Sequence, residues 1–398
     1  MLRNDPIPGS SLEGRGDVIG VGGETLTAPL RVIVSGGGTG GHIFPAIAIA
    51  DELKRLRPGT EFLFVGATGK MEMEKVPKAG YEIVGLPIRG LQRQLTLGNL
   101  AFPFKLIASL WKSRSIIKAF RPDVVVGTGG YAGGPILFVA AKMGVPTLIQ
   151  EPNAFAGLAN KWVGKYVVTV CVAFAGMEQF FPADKLVVTG NPVREAALDK
   201  ARSVGESAPA SRLGRRANVL LMGGSGGARS LNEAMRDNTD AIKARPQVQW
   251  RWQCGKNYLD AFQDCETAKL DNVTISAFID DMTAAYAAAD VVIGRAGSTT
   301  IAEIQFLGKA TILVPSPWVA EDHQTMNAKA LTERDAAVLV ADKDINDQLL
   351  PAVLNILDDD ARRKELSQNA RAMAQTGAVT RIAEEVLKLI YSSKNFSK

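Results

Sequence analysis

Short apolar runs recur along the chain, and most hand over to an apolar stripe at helical spacing. Arg31-Val32-Ile33-Val34-Ser35 predicts a buried strand, and Ala46 to Ala50 with Leu53 and Leu56 predicts the helix after it. Further strands are expected at 61–66, 81–86, 122–127, 145–149, 167–172 and 186–188. The pattern restarts at Asn218-Val219-Leu220-Leu221-Met222 and continues with strands at 248–253, 273–275, 290–293 and 311–315. Strands alternating with helices predict mostly parallel sheets covered by helices, the α/β class. The echo of the opening unit one domain later predicts two Rossmann-like domains whose carboxyl strand ends face a cleft.

The boundaries follow from breaks in this pattern. Residues 1–27 are rich in Gly, Ser, Pro and charge without periodicity, and are expected to be a disordered extension. Residues 28–198 form the expected first domain, 199–216 a polar linker, and 217–377 the second domain. Residues 378–394 carry Ile382, Val386, Leu387 and Ile390 at helical spacing and are expected to pack back on the first domain.

Glycine-rich turns sit where strands end. Gly36-Gly37-Gly38-Thr39-Gly40-Gly41-His42 joins the first strand to its helix, Thr128 to Pro135 does so after a later strand, and Gly223 to Arg229 and Gly294 to Thr300 repeat the device in the second half. Such turns bring backbone N–H groups and a helix N-terminus to an anionic ligand. Gln150-Glu151-Pro152-Asn153 and Glu321 to Asn327 also follow strands, where open α/β sheets bind ligands. Glu303 has two readings: the end of a capping box begun by Thr300, or a carboxylate accepting both hydroxyls of a ribose. The acidic runs 342–344 and 358–360 lie far from any glycine loop and read as solvated surface.

Composition narrows the field. The 398 residues include two histidines and three cysteines, without metal-ligand spacing, so neither a metal nor another cofactor is expected. The net charge of +5 fits an anionic small molecule or lipid surface as easily as nucleic acid, though no nucleic-acid partner is expected. No stretch approaches a membrane span and no signal peptide is expected. Between Arg89 and Arg121, apolar residues interleave with seven cations and no acid. The run reads either as a core-facing helix or as a segment that lies on an anionic membrane surface.

GGGTGGHIFPAIAIA, GTGGYAGGP, GNPVR, GGSGGAR, FIDDM, GRAGSTTIAE and EDHQTMNA stand in that order. Together they resemble the MurG family of peptidoglycan glycosyltransferases, over nearly everything after the N-terminal extension. The resemblance implies a GT-B fold and a UDP-GlcNAc-dependent hexosyltransferase. That family makes lipid II by inverting transfer of N-acetylglucosamine to lipid I, undecaprenyl-pyrophosphoryl-MurNAc-pentapeptide, at the cytoplasmic face of the membrane, without an essential metal. Carried onto this chain, Thr39, Gly40 and Gly41 would lie beside the diphosphate and sugar, and Asn153 and Arg194 would contact the donor. Ser225 would bind the diphosphate, and Ile279 would offer backbone groups to the uracil. Ser298, Thr299, Thr300, Ile301, Ala302 and Glu303 would hold phosphate and ribose, and Gln324 the sugar hydroxyls. Where the family usually has His-Glu-Gln-Asn, this chain has Gln150-Glu151-Pro152-Asn153. The acceptor hydroxyl needs a base, and His42 is the first candidate because its pKa suits proton transfer near neutrality; its alternative role is a hydrogen bond to the acceptor or the diphosphate. The rivals are another GT-B lipid glycosyltransferase, of the diacylglycerol type, and a non-catalytic nucleotide-binding protein.

Overall fold

Strands such as Val124–Gly129 and Val291–Gly294 are buried along their whole length, as parallel strands covered by helices on both faces must be. The structure, a computed structural model, describes residues 29–90, 102–206, 216–224 and 226–395. The first sheet contains β1 (Arg31–Gly36), β2 (Glu61–Ala67), β3 (Ile83–Leu86), β4 (Val124–Gly129), β5 (Thr147–Glu151), β6 (Thr169–Val172) and β7 (Leu186–Val188), in the order β3-β2-β1-β4-β5-β6-β7. The second contains β8 (Ala217–Met222), β9 (Val248–Gln253), β10 (Val273–Ser276), β11 (Val291–Gly294), β12 (Ala310–Leu313) and β13 (Val338–Leu339), in the order β10-β9-β8-β11-β12-β13. All pairings are parallel.

The strand order reverses between β1 and β4 in one sheet and between β8 and β11 in the other. Such switch points leave a crevice at the carboxyl strand ends, and each is occupied here by glycine loops. The register sets Gly36 beside Gly129 and Gly294 beside Met222.

Alternate residues of β1 feed two cores. Val32 and Val34 pack with Ile43, Ile49 and Leu53 of the Gly40–Leu56 helix, while Ile33 packs with Val125, Ile117 and Ile136 on the other face. The C-terminal helix Ala378–Asn395 joins the first of these cores through Ile382, Val386 and Ile390, each 0% exposed. Burying three such side chains contributes about 1.5–3 kcal/mol apiece. Thr380 donates to Glu52 at 2.6 Å and Lys394 pairs with Asp123 at 3.0 Å, so polar contacts pin the same helix to the first domain.

The segment expected as a linker from 199 begins inside a helix, Glu195–Glu206. Its Leu198 and Ala201 pack with Leu220, Met222 and Tyr286 of the second domain, a stripe that its polar neighbours obscure in the sequence. Residues 207–215 lie outside the described residues, as does the extension 1–27. Of the basic run, residues 91–101 lie outside them too, and the remainder forms the Phe102–Phe120 helix. Ile116 and Ile117 face the core, whereas Phe104, Ile107 and Trp111 are 75%, 53% and 73% exposed. Their spacing of three and four puts them on one face, flanked by exposed Lys112, Arg114 and Lys118. No helix of the described residues is long and apolar enough to cross a membrane.

Candidate active site between two glycine-loop helices

In the first domain the two glycine loops interlock. A Cβ at Gly36 would stand 2.1 Å from the Thr128 hydroxyl, and one at Gly130, whose φ is +96°, would stand 2.5 Å from the Gly37 carbonyl. Only glycine permits that approach. Gly37 N–H donates to the Gly129 carbonyl at 3.2 Å, and the Thr128 hydroxyl donates to the His42 carbonyl at 2.7 Å. His42 Nδ1 lies 2.7 Å from the Thr128 carbonyl. A carbonyl only accepts, so Nδ1 carries the hydrogen and Nε2 keeps its lone pair. Burial holds the His42 pKa below the usual histidine value; the Thr128 bond opposes this, nearby His323 adds to it, and Glu72 opposes it. The imidazole is therefore neutral at pH 7 with a basic nitrogen available. The N–H groups of Thr39, Gly40 and Gly41 open the Gly40–Leu56 helix and have no partner among the described residues.

The second domain presents a matching end. The Ser298–Leu307 helix starts after Gly297, with no side chain capping its first N–H groups. Ser298 is 8% exposed, and the buried Thr299 hydroxyl has no hydrogen-bond partner. Thr300 occupies the first turn, Ile301 is core, and Ala302 packs beside the cluster around Tyr286. Because the helix begins at Ser298, Thr300 is not its cap and the capping box does not form. Glu303 instead accepts from the Tyr286 hydroxyl at 2.8 Å. Burial raises the Glu303 pKa, while the Tyr286 bond and the charge of Arg194 lower it. Arg194 is exposed at the start of the Glu195–Glu206 helix, so it and Glu303 serve one locale. Ile279 is 1% exposed and belongs to the core with Met222 and Val292, which leaves only its backbone for polar contact. Ser225 lies outside the described residues.

The two helix N-termini approach each other across the domain interface: a Cβ at Gly41 would stand 3.9 Å from the Ser298 hydroxyl. Asn327, fully buried, staples this arrangement. Its Oδ1 accepts from Ala154 N–H at 2.8 Å, and its Nδ2 donates to Asn153 Oδ1 and to the Ala296 carbonyl, both at 3.1 Å. Lys161 reaches Glu321 at 3.5 Å beside it. Asn153 also donates twice to Glu151, so its amide is committed on both sides. Glu151 takes two further donors, Gly157 N–H and Asn160; burial raises its pKa and all four bonds oppose that.

Glu321 and Asp322 both have positive φ, 56° and 52°, immediately before the His323–Thr332 helix. Backbone of this kind costs about 1–3 kcal/mol per residue and concentrates at functional sites. It delivers His323 to the neighbourhood of His42 and sets Gln324, whose Oε1 accepts from Ser316 N–H at 2.8 Å. That bond leaves the Gln324 Nε2 for another acceptor. Behind these loops Arg295 donates to Asp342, to the Val314 and Pro315 carbonyls and to Ser230, tying four segments of the second domain together.

The structure thus brings Thr39, Gly40, Gly41, His42, Asn153 and Ser298 to the interface, while Gln324 is held on Ser316 of the second domain and Glu303 lies on Tyr286 within the field of Arg194. Sequence reasoning passed over Asn327, Tyr286 and Glu72. Asn327 lies within the motif Glu321–Asn327, but its partners are far away in sequence. Among the described residues no group of three His, Cys, Asp or Glu side chains could hold a metal ion.

Residues 32–172 match the family described as glycosyltransferase family 28 N-terminal domain, and residues 218–386 the family 28 C-terminal domain. Two relatives are named UDP-N-acetylglucosamine--N-acetylmuramyl-(pentapeptide) pyrophosphoryl-undecaprenol N-acetylglucosamine transferase. One, from Bacteroides thetaiotaomicron, is 48% identical over 90% of this chain and 98% of its own length. The other, from Parabacteroides distasonis, is 49% identical over the same shares. The crystal structure of Acinetobacter baumannii MurG superposes with a TM-score of 0.73 at 31% identity, covering 90% of this chain and all of that one. A glycosyltransferase of kitacinnamycin shares the fold at 17% identity, with a TM-score of 0.68 over 91% of this chain and all of that one. With two parallel-sheet domains closing on paired glycine loops, and these likenesses along nine-tenths of its length, the chain belongs to the MurG family within glycosyltransferase family 28 and has the GT-B fold.

Proposed function

We propose that this chain transfers N-acetylglucosamine from UDP-GlcNAc to the muramyl 4-hydroxyl of lipid I, inverting the anomeric centre and giving lipid II for peptidoglycan. The observation that carries the mechanism is the approach of two uncapped helix N-termini, at Gly40 and Ser298, from opposite domains. Each end bears partial positive charge and unsatisfied N–H donors. A diphosphate held between them gains stabilisation as charge develops on the departing UDP, without a metal. Nε2 of His42 accepts the proton of the attacking hydroxyl as the oxygen bonds to C1 and the C1–diphosphate bond breaks.

In this reading Glu303 accepts the ribose hydroxyls, Arg194 supports it, and the Ile279 backbone meets the uracil. Thr299 faces the phosphates, and the Gln324 Nε2 donates to a sugar hydroxyl. Asn153 reaches the donor only when Asn327 releases it. The exposed face of Phe104, Ile107 and Trp111, with Lys112, Arg114 and Lys118 beside it, rests on the anionic cytoplasmic surface of the membrane. The family's acceptor is a lipid, so the first domain must meet the bilayer.

The test offers radiolabelled UDP-GlcNAc, in excess EDTA, with either a lipid I analogue or a diacylglycerol. Label in the lipid I product alone is expected. Label in the diacylglycerol, or turnover that returns only with magnesium, would overturn the reading.

A further inference from the structure

Glu72 is a buried carboxylate, 1% exposed, on the first residue of the Glu72–Lys78 helix. Its Oε2 accepts from Gly38 N–H and its Oε1 from Ala67 N–H, both at 2.9 Å. It therefore ties the β1 loop to the end of β2. Two glycines make room for it. The three atoms nearest to a Cβ placed on Gly37 all belong to the Glu72 carboxyl, the closest at 2.3 Å, and a Cβ on Gly66 would meet the Glu72 Cγ at 2.5 Å. Gly37 lacks a positive φ, so its lack of a side chain answers to Glu72 and not to the backbone.

We propose that Glu72 is a positioning residue for the transfer reaction: it draws Gly38 N–H inward, and so fixes the turn from which Thr39, Gly40 and Gly41 point their N–H groups outward and His42 its Nε2. This rests on the function proposed above. Glu72 touches neither the described donor nor base positions directly; it acts through the loop and through its charge. The groups acting on His42 are the Thr128 carbonyl at the end of β4, His323 from the second domain, and Glu72, whose charge favours the protonated ring.

The test compares Glu72→Gln with the wild type. A carboxamide keeps the volume but offers one acceptor to two N–H donors. The expected kcat falls about 10- to 100-fold, equivalent to about 1.4–2.7 kcal/mol, while the donor KM, set mainly by the second domain, stays within about threefold. The chain has only two histidines, so NMR follows His42 without ambiguity once His323→Gln assigns the other signal. The His42 midpoint should move to lower pH in Glu72→Gln, since an attractive charge is removed. That shift needs no turnover, so it reads Glu72 even if the wild type transfers to some other acceptor. Gly37→Ala supplies the second arm: it should impair the wild type at least tenfold and cost markedly less in a Glu72→Ala background, a coupling that general destabilisation does not produce. Should Glu72→Gln fail to fold, Glu72→Ala, which also removes the charge, carries the titration and Gly37→Ala the kinetics. Wild-type kcat per folded molecule, an unmoved His42 midpoint, or additive Gly37 and Glu72 effects would each overturn the proposal.

Discussion

Replacing Glu303 separates donor binding from folding. In Glu303→Ala the Tyr286 hydroxyl, on a side chain only 1% exposed, loses its carboxylate partner and keeps only Met222 Sδ at 3.7 Å. Leaving such a group unpaired costs about 1–3 kcal/mol, which lowers Tm by about 2–4 °C per kcal/mol in a domain of this size. Binding loses more. Two charge-assisted bonds to a ribose contribute about 1.5–3 kcal/mol each, so even the lower value predicts a loss of roughly 100-fold or more in UDP-GlcNAc affinity. Glu303→Gln decides between the two effects. It keeps an acceptor for Tyr286 and removes a buried charge whose pKa is raised. A raised carboxylate pKa means the folded state holds the proton more tightly, so stability falls as pH rises from the ordinary glutamate value through the raised one. That penalty grows as pH rises above the ordinary glutamate value, and Glu303→Gln, which carries no charge, should there be at least as stable as the wild type while binding UDP-GlcNAc weakly. Calorimetric titration and thermal melts on the same preparations give both numbers. Wild-type affinity in folded Glu303→Gln would refute the ribose assignment.

Three further outcomes follow from the same geometry. The His42 pKa is lowered, so the acid limb of kcat/KM should lie below pH 6.5, and His42→Gln should cut kcat about 100- to 10,000-fold; a limb above pH 6.5 contradicts the base assignment. Asn327→Ala removes three hydrogen bonds, two of them to the first domain, at about 1 kcal/mol each; spin-label distances between the domains should lengthen, and unchanged distances would show that Asn327 is no staple. Replacing Lys112, Arg114 and Lys118 with Gln should weaken binding to anionic vesicles by about 1 kcal/mol per cation at low salt and leave UDP-GlcNAc affinity intact; equal co-sedimentation of the two proteins would place the membrane contact elsewhere.

Much of this was legible in the sequence for local reasons. An apolar run, a glycine turn and an apolar stripe lie within some twenty residues of one another, so β1, its loop and the Gly40–Leu56 helix could be read directly. The parallel sheets and the packing-back of the Ala378–Asn395 helix follow from the same periodicities. What escaped depends on long-range contact. Glu72 meets Gly38 across 34 residues, and Asn327 meets Asn153 across 174; no local pattern announces either. The capping box failed because a cap is defined by where the helix starts, and Gly297 starts it three residues before Thr300. The two-residue strand β13 (Val338–Leu339) is too short for any alternation to show. The Glu195–Glu206 helix hides its Leu198 and Ala201 stripe among charges.

The convergence of two helix N-termini on one diphosphate is tested most directly by amide hydrogen exchange with and without UDP-GlcNAc. Protection should appear together at Thr39, Gly40 and Gly41 in the first domain and at Ser298, Thr299 and Thr300 in the second, with uridine alone protecting neither set of phosphate donors. Protection confined to the second domain, with Thr39 to Gly41 exchanging as in the free protein, would contradict it.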